Sequence, residues 1–96
     1  MRDDEFEWDD AKAAANLAKH TVSFEDARSV FADINSVDEL DDIDDSGEQR
    51  YRLTGIAFGE VIVVIYCDRE DRRRIISARK GSKREQKNYF AQARRR

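Results

Sequence analysis

The sequence predicts an α+β fold: two N-terminal helices, an antiparallel four-stranded sheet made of a short edge strand and a three-stranded meander, and a C-terminal helix. Three observations carry this reading. Residues 10–31 place apolar side chains at helical spacing, and residues 50–79 hold three strand-like runs separated by turn-sized gaps. Ser82-Lys83-Arg84-Glu85 has the form of a capping box that opens a helix. Consecutive strands joined by short turns pair antiparallel, so the helices are expected on one face of the sheet and the other face partly open.

Phe6 and Trp8 lead into the first helix, with Trp8 expected as packing. Asp9 is suited to cap that helix, and Ala11, Ala14, Ala15 and Ala18 recur at i, i+3, i+4 and i+7. Such an alanine stripe predicts close packing against a neighbour. Lys19 and His20 fall in the last turn, where the helix dipole favours positive charge. Ser23 then caps a second helix, with Asp26 at the acidic third position, Val22 and Ala27 at the staple positions, and Phe24, Ala27, Val30 and Phe31 on its apolar face.

A short edge strand is expected near 34–40, followed by a solvated acidic loop, DDIDDSGE. That loop lacks the regular oxygen spacing of a calcium site. Residues 50–57 alternate, putting Arg50, Arg52 and Thr54 on one face and Tyr51 and Leu53 on the other. Gly59 suits a tight turn at positive φ. Residues 61–67 (VIVVIYC) read as a central strand covered on both sides, and residues 72–79 as the last strand, with Arg73, Ile75, Ser77 and Arg79 sharing a face. The final helix carries Gln86, Tyr89, Phe90 and Ala93 along one side, and Arg94–Arg96 are expected to fray.

The 96 residues suffice for one domain, 1–96, with one core. No apolar run approaches the ~20 residues of a membrane span, and the start is acidic where a signal peptide is basic, so the chain is read as cytoplasmic with no membrane partner. Cys67 stands alone in an apolar run and is read as a small buried hydrophobe. The net charge of −3 conceals a split: residues 1–48 carry a net −12 and residues 49–96 a net +9. Either the halves pair internally, or one face is prepared for a polyanion.

Composition excludes several chemistries. One His and one Cys cannot build a zinc site of the usual kind. No glycine-rich loop precedes a helix, and nothing resembles a nucleophile elbow. What remains is a sheet bearing arginines, whose planar forks hold phosphate by paired hydrogen bonds at any working pH. Cutting RNA without a metal needs a base for the 2′-OH proton, cations for the growing phosphate charge, and an acid for the leaving 5′-oxygen. An arginine sheet supplies the second; the first and third are harder to assign.

The stretch FEWDDAKAAANLAKHTVSFEDARSVFAD, then Glu48-Gln49-Arg50, then RIISARKGSKRE resembles the BrnT toxins of bacterial type II toxin–antitoxin systems, within the RelE-like group of ribonucleases. Lys12, Asn16, Lys19, His20, the Val-Ser-Phe cap and the Ile-Ser-Ala-Arg strand end followed by Arg84-Glu85 are its most specific pieces, in order along nearly the whole chain. The resemblance implies a RelE-like fold and an RNA-cleaving toxin that inhibits translation. It also implies a ribbon-helix-helix antitoxin that neutralises the toxin in a heterotetramer and binds operator DNA. Thr21 stands where the family often has Gly, and Ile34 where Pro is common. A β-branched residue at 21 tells against a required positive φ there.

Arg79 and Arg50 are the candidates for stabilising the phosphate, and His20 or Lys19 for assisting proton transfer. Lys80, Arg52, Arg74 and Arg73 are candidate RNA contacts, and Tyr89 a weaker candidate proton donor. No cofactor or metal is expected. The alternative is a non-catalytic module that grips an antitoxin or nucleic acid through its basic sheet face.

Overall fold

A computed structural model describes residues 1–95. The element order is β1 (Phe6–Glu7), α1 (Asp10–His20), α2 (Phe24–Arg28), a 3₁₀ turn (Ser29–Ala32), β2 (Val37–Ile43), β3 (Gln49–Ala57), β4 (Glu60–Arg69), β5 (Arg72–Lys80) and α3 (Lys83–Ala93). The α+β class stands, but the sheet is mixed and five-stranded, in the order β1-β5-β4-β3-β2. The addition is β1, which pairs parallel to β5 through Phe6–Arg73 and Glu7–Arg74. Two residues leave no alternation to detect.

Local side-chain chemistry starts each helix as its spacing dictates. Asp9 accepts from the Lys12 amide at 3.0 Å and Ser23 from the Asp26 amide at 3.0 Å. Ser82 accepts from the Glu85 amide at 3.1 Å while the Glu85 carboxylate takes the Ser82 amide at 2.8 Å, completing the capping box. The second helix is shorter than its apolar face suggests, tightening to 3₁₀ geometry after Arg28. α1 ends at Thr21, which lies at φ 60° and donates its amide to Leu17 O. This corrects the expectation that a β-branched residue tells against a positive φ there. The αL cap closes the helix despite its cost.

The edge strand is displaced. It runs to Ile43, so the first three residues of the acidic stretch are strand and the turn shrinks to residues 44–48. Asp44 builds that turn: one carboxylate oxygen accepts from the Ser46 amide, the Ser46 hydroxyl and the Glu48 amide, at 2.9, 2.6 and 2.9 Å. These donors lower its pKa, the Ser46 hydroxyl foremost. The β3–β4 hairpin closes in two residues, with Phe58 at φ 52° and Gly59 at φ 78°, the double positive φ of a type I′ turn.

One face of the sheet, the inner face, carries Tyr51, Leu53, Ile62, Val64, Tyr66, Ile75 and Ala78 against Phe6, Trp8, Val22, Phe24, Ala27 and Val30. Phe31 links this core edge to face, at 5.1 Å from Phe6 and 5.0 Å from Tyr66. Gly55 lets the 3₁₀ turn close on β3, since a Cβ there would meet Val30 Cγ1 at 2.8 Å. Trp8 and Cys67 are buried, as expected.

The alanine stripe is not the packed side of α1. Ala11, Ala14, Ala15 and Ala18 are exposed, and the buried residue is Asn16. Its amide donates to Ala78 O at 2.8 Å and Val22 O at 3.0 Å and accepts from Ala78 N at 3.1 Å. A side-chain amide thereby reproduces the ladder bonds that β5 would give a neighbouring strand, closing an edge that β1 is too short to reach.

Two further corrections fix where the arginines lie. β5 has a bulge: Ile65 pairs with Ser77 but Tyr66 with Ile75, leaving Ile76 extra. Alternation is reset, so Arg73 and Ile75 belong to the inner face and Ser77 and Arg79 to the outer. The helices also do not share one face. α1 and α2 cover the inner face, while α3 lies along the outer one, beside Val37, Glu39, Arg52 and Thr54. Tyr89 on α3 is buried, and its hydroxyl donates to Asp33 Oδ2 at 2.5 Å. The same carboxylate oxygen accepts from Ile56 N at 2.8 Å, joining the two sides of the sheet at its β3 margin. The expected looseness of Arg94–Arg96 bears in part on Arg96, outside the described residues; α3 ends at Ala93.

Candidate nucleic-acid interface

The register brings Arg50, Arg52, Arg74 and Arg79 to the outer face, with the Arg69–Arg72 pair on the same side at the β4–β5 turn. Arg79, Val63, Thr54 and Val37 form one cross-strand row, and Ser77, Ile65, Arg52 and Glu39 the next. Beyond them Arg74 pairs with Cys67, and Arg50 follows directly after the Tyr51–Tyr66 pair. Arg50, Arg52, Arg74 and Arg79 therefore share one surface. Their side chains are between 29% and 42% exposed, open to a ligand yet partly desolvated. Arg73 does not join them. It lies on the inner side, its guanidinium 4.9 Å from the Phe31 ring centre. Lys80 pairs with Ile62 of the inner face and reaches Glu60 at 3.5 Å.

The four differ in how firmly carboxylates hold them. Arg79 is gripped by Glu85 through two parallel bonds of 2.7 and 2.9 Å. That fork–fork pair holds Glu85 down at about 2 and raises Arg79. Arg74 donates to Glu7 at 2.7 Å. Arg52 meets Asp41 at 3.5 Å and Glu39 at 3.7 Å, and Arg50 only approaches Asp44 at 3.9 Å. The Arg50 Nε is buried without a hydrogen-bond partner among the described residues. An unmet charged donor of this kind is costly unless something completes it. Arg50 and Arg52 are thus the cations least committed to the fold.

The acidic half of the chain acquires a role in this arrangement. Glu39, Asp41 and Asp44 from β2 and its turn face Arg52 and Arg50, Glu48 binds Arg69 at 2.8 Å, and Glu7 binds Arg74. Much of the charge split is internal pairing. Cys67 lies beneath this network, its thiol pKa raised by burial first and by Glu48 second.

Lys19 and His20 end α1, which lies along the open edge of β5 through the Asn16–Ala78 bonds. Among the described residues no hydrogen bond or ion pair joins either side chain to the four arginines. Tyr89 is engaged with Asp33. The sequence reading missed Glu85 as the partner of Arg79, treating it as a cap alone, and missed the β2 carboxylates. Only the capping box pointed to Glu85, and it says nothing of a strand residue six positions earlier. No group of three or more His, Cys, Asp or Glu side chains that could hold a metal occurs among the described residues. No helix is long and apolar enough to cross a membrane.

An α+β fold with loosely paired arginines on an open sheet face is the kind of protein that can hold a phosphodiester chain. The family model described as ribonuclease toxin, BrnT, of type II toxin-antitoxin system matches residues 8–85, well over half of the chain, and the chain belongs to that family. Membership brings an RNA substrate and an antitoxin partner. No curated protein matches the chain.

Proposed function

We propose that this chain is a metal-independent endoribonuclease acting in the cytoplasm, where cleavage of RNA inhibits translation. The observation that carries the reading is the outer sheet face, which Arg50, Arg52 and the rigidly held Arg79 share. In this mechanism a base takes the 2′-OH proton and the 2′-oxygen attacks phosphorus. The 5′-oxygen leaves with a proton from an acid, giving a cyclic phosphate and a free 5′-hydroxyl. Arg50 and Arg52 bind the scissile phosphate, and their charge meets the negative charge that grows in the transition state. Arg79, fixed by Glu85, offers its remaining donors to the same anion. His20 or Lys19, from the helix along the β5 edge, supplies proton transfer, and Arg74 contacts flanking RNA on the outer face; Arg73 and Lys80 are turned to the inner side and take no part there.

The partner in this reading is a ribbon-helix-helix antitoxin that neutralises the toxin in a heterotetramer and carries operator-DNA binding. The test is incubation of the purified chain with RNA, with and without EDTA and with and without ribosomes. Cleavage that persists in EDTA supports the proposal; cleavage lost in EDTA overturns metal independence. A second reading, a binding module without catalysis, is favoured by one observation: Arg74 and Arg79 are already neutralised by Glu7 and Glu85. Absence of cleavage under every condition, with tight antitoxin binding retained, would establish that second reading.

A further inference from the structure

Between α3 and the β2–β3 strands the outer face holds a groove of about 510 Å³, within the range of roughly 300–1,000 Å³ typical of small-ligand sites. Arg52 and Thr54 line it from the sheet. Arg84, Asn88 and Gln92 line it from α3, and their spacing of four residues sets them in one row along the helix. Glu85, the residue that holds Arg79, lines it as well. The groove is therefore continuous with the arginine face.

Its chemistry suits a nucleobase. α3 commits Gln86 to Gly81 O and Tyr89 to Asp33. Among the described residues the Asn88 and Gln92 amides make no hydrogen bond. A side-chain amide sets one donor beside one acceptor, the pattern that reads the edge of a base. Arg84 and Arg95 bring planar guanidinium groups to the same groove, suited to stacking on an unpaired base. A docked peptide helix would want a row of apolar anchors, and the lining offers only Val37, Ala91 and the Tyr89 ring, whose hydroxyl is tied to Asp33.

We infer that this groove receives one unstacked base of single-stranded RNA beside the phosphate held by Arg50 and Arg52, and that Asn88 and Gln92 set the base preference. The assignment rests on the RNA substrate of the reading above and adds the residues that read its sequence. Binding is measured separately from cleavage with fluorescein-labelled 2′-O-methyl homotetramers of A, C, G and U, whose blocked 2′-oxygens cannot attack. The full-length chain should bind one of them about tenfold more tightly than the weakest. The double variant Asn88→Ala, Gln92→Ala should bind all four within about twofold of one another. Both positions are exposed on the helix, and an unchanged melting temperature checks that the loss is local. A second variant, Asn88→Asp, exchanges a donor for an acceptor and should change which base is preferred. Equal binding of all four tetramers by the wild-type chain, or an unaltered preference in these variants, overturns the assignment. Base-selective binding without any RNA cleavage would instead overturn the ribonuclease reading and leave the groove assignment standing.

Discussion

Glu85 serves two masters at once: its Oε1 accepts from both Arg79, at 2.7 Å, and the Ser82 amide, at 2.8 Å, while its Oε2 takes the second Arg79 bond at 2.9 Å. The start of α3 and the orientation of the arginine at the end of β5 thus depend on a single ionised carboxylate. Its pKa falls from an ordinary 4.5 to about 2, chiefly through Arg79. A depressed carboxylate stabilises the fold above its ordinary pKa and loses that contribution as pH falls through its folded value. The loss should therefore run from about pH 4.5 down to about pH 2. The full shift would correspond to about 3 kcal/mol, and solvent screening of these partly exposed side chains leaves roughly 1 kcal/mol. Glu85→Gln keeps the cap and removes the charge. Urea melts at pH 7 and at pH 2 should show a wild-type advantage over this variant only at the higher pH; an equal advantage at both would refute the linkage.

Arg50→Ala should slow RNA cleavage by about a hundredfold, the lower part of the range for removing one donor to a developing anion. Stability should barely change, within about 0.5 kcal/mol, because the nearest carboxylate is 3.9 Å away. Single-turnover cleavage and a thermal melt on the same preparation check both halves. Full activity in this variant would remove Arg50 from the site.

Asn16→Ala should destabilise the fold by about 3 kcal/mol, since it strands the buried amide and carbonyl of Ala78 together with Val22 O. Equilibrium urea denaturation measures it. A loss below about 1 kcal/mol would mean that water replaces the amide without penalty.

Thr21→Gly should raise stability by about 0.5–1 kcal/mol, because glycine takes a left-handed cap without the strain a β-branched residue bears. Thr21 sits at φ 60°, and its hydroxyl donates to the His20 carbonyl at 2.6 Å. A lower melting temperature in the variant would show that this hydroxyl bond outweighs the backbone strain.

What the sequence made legible follows the range of the interactions involved. Asp9, Ser23 and Ser82 each act on an amide three residues ahead, so their spacing alone locates three helix starts. Arg50 and Arg52 share a face because β3 alternates without interruption up to Thr54. Other features are settled across the fold. Asn16 meets a partner 62 residues away, and an asparagine inside an alanine-rich helix carries no local sign of it. The pairings of Arg50, Arg52 and Arg74 depend on which strands become neighbours, and β1 was too short to announce itself. The Ile76 bulge is defined by β4 opposite, so simple alternation grouped Arg79 with Arg73 when the two lie on opposite sides.

That extra residue gives β5 a measure of slack. Deleting Ile76 would join Ile75 directly to Ser77 and restore plain alternation, so Ser77 and Arg79 would stay on the outer face and Ala78 on the inner one. Such a shortened strand should still fold, losing only the local bend that a bulge adds. One residue inserted between Ser77 and Ala78 is the dangerous change, because it would turn Ala78 outward and Arg79 inward. The strand can give up a residue at this place far more readily than it can take one in.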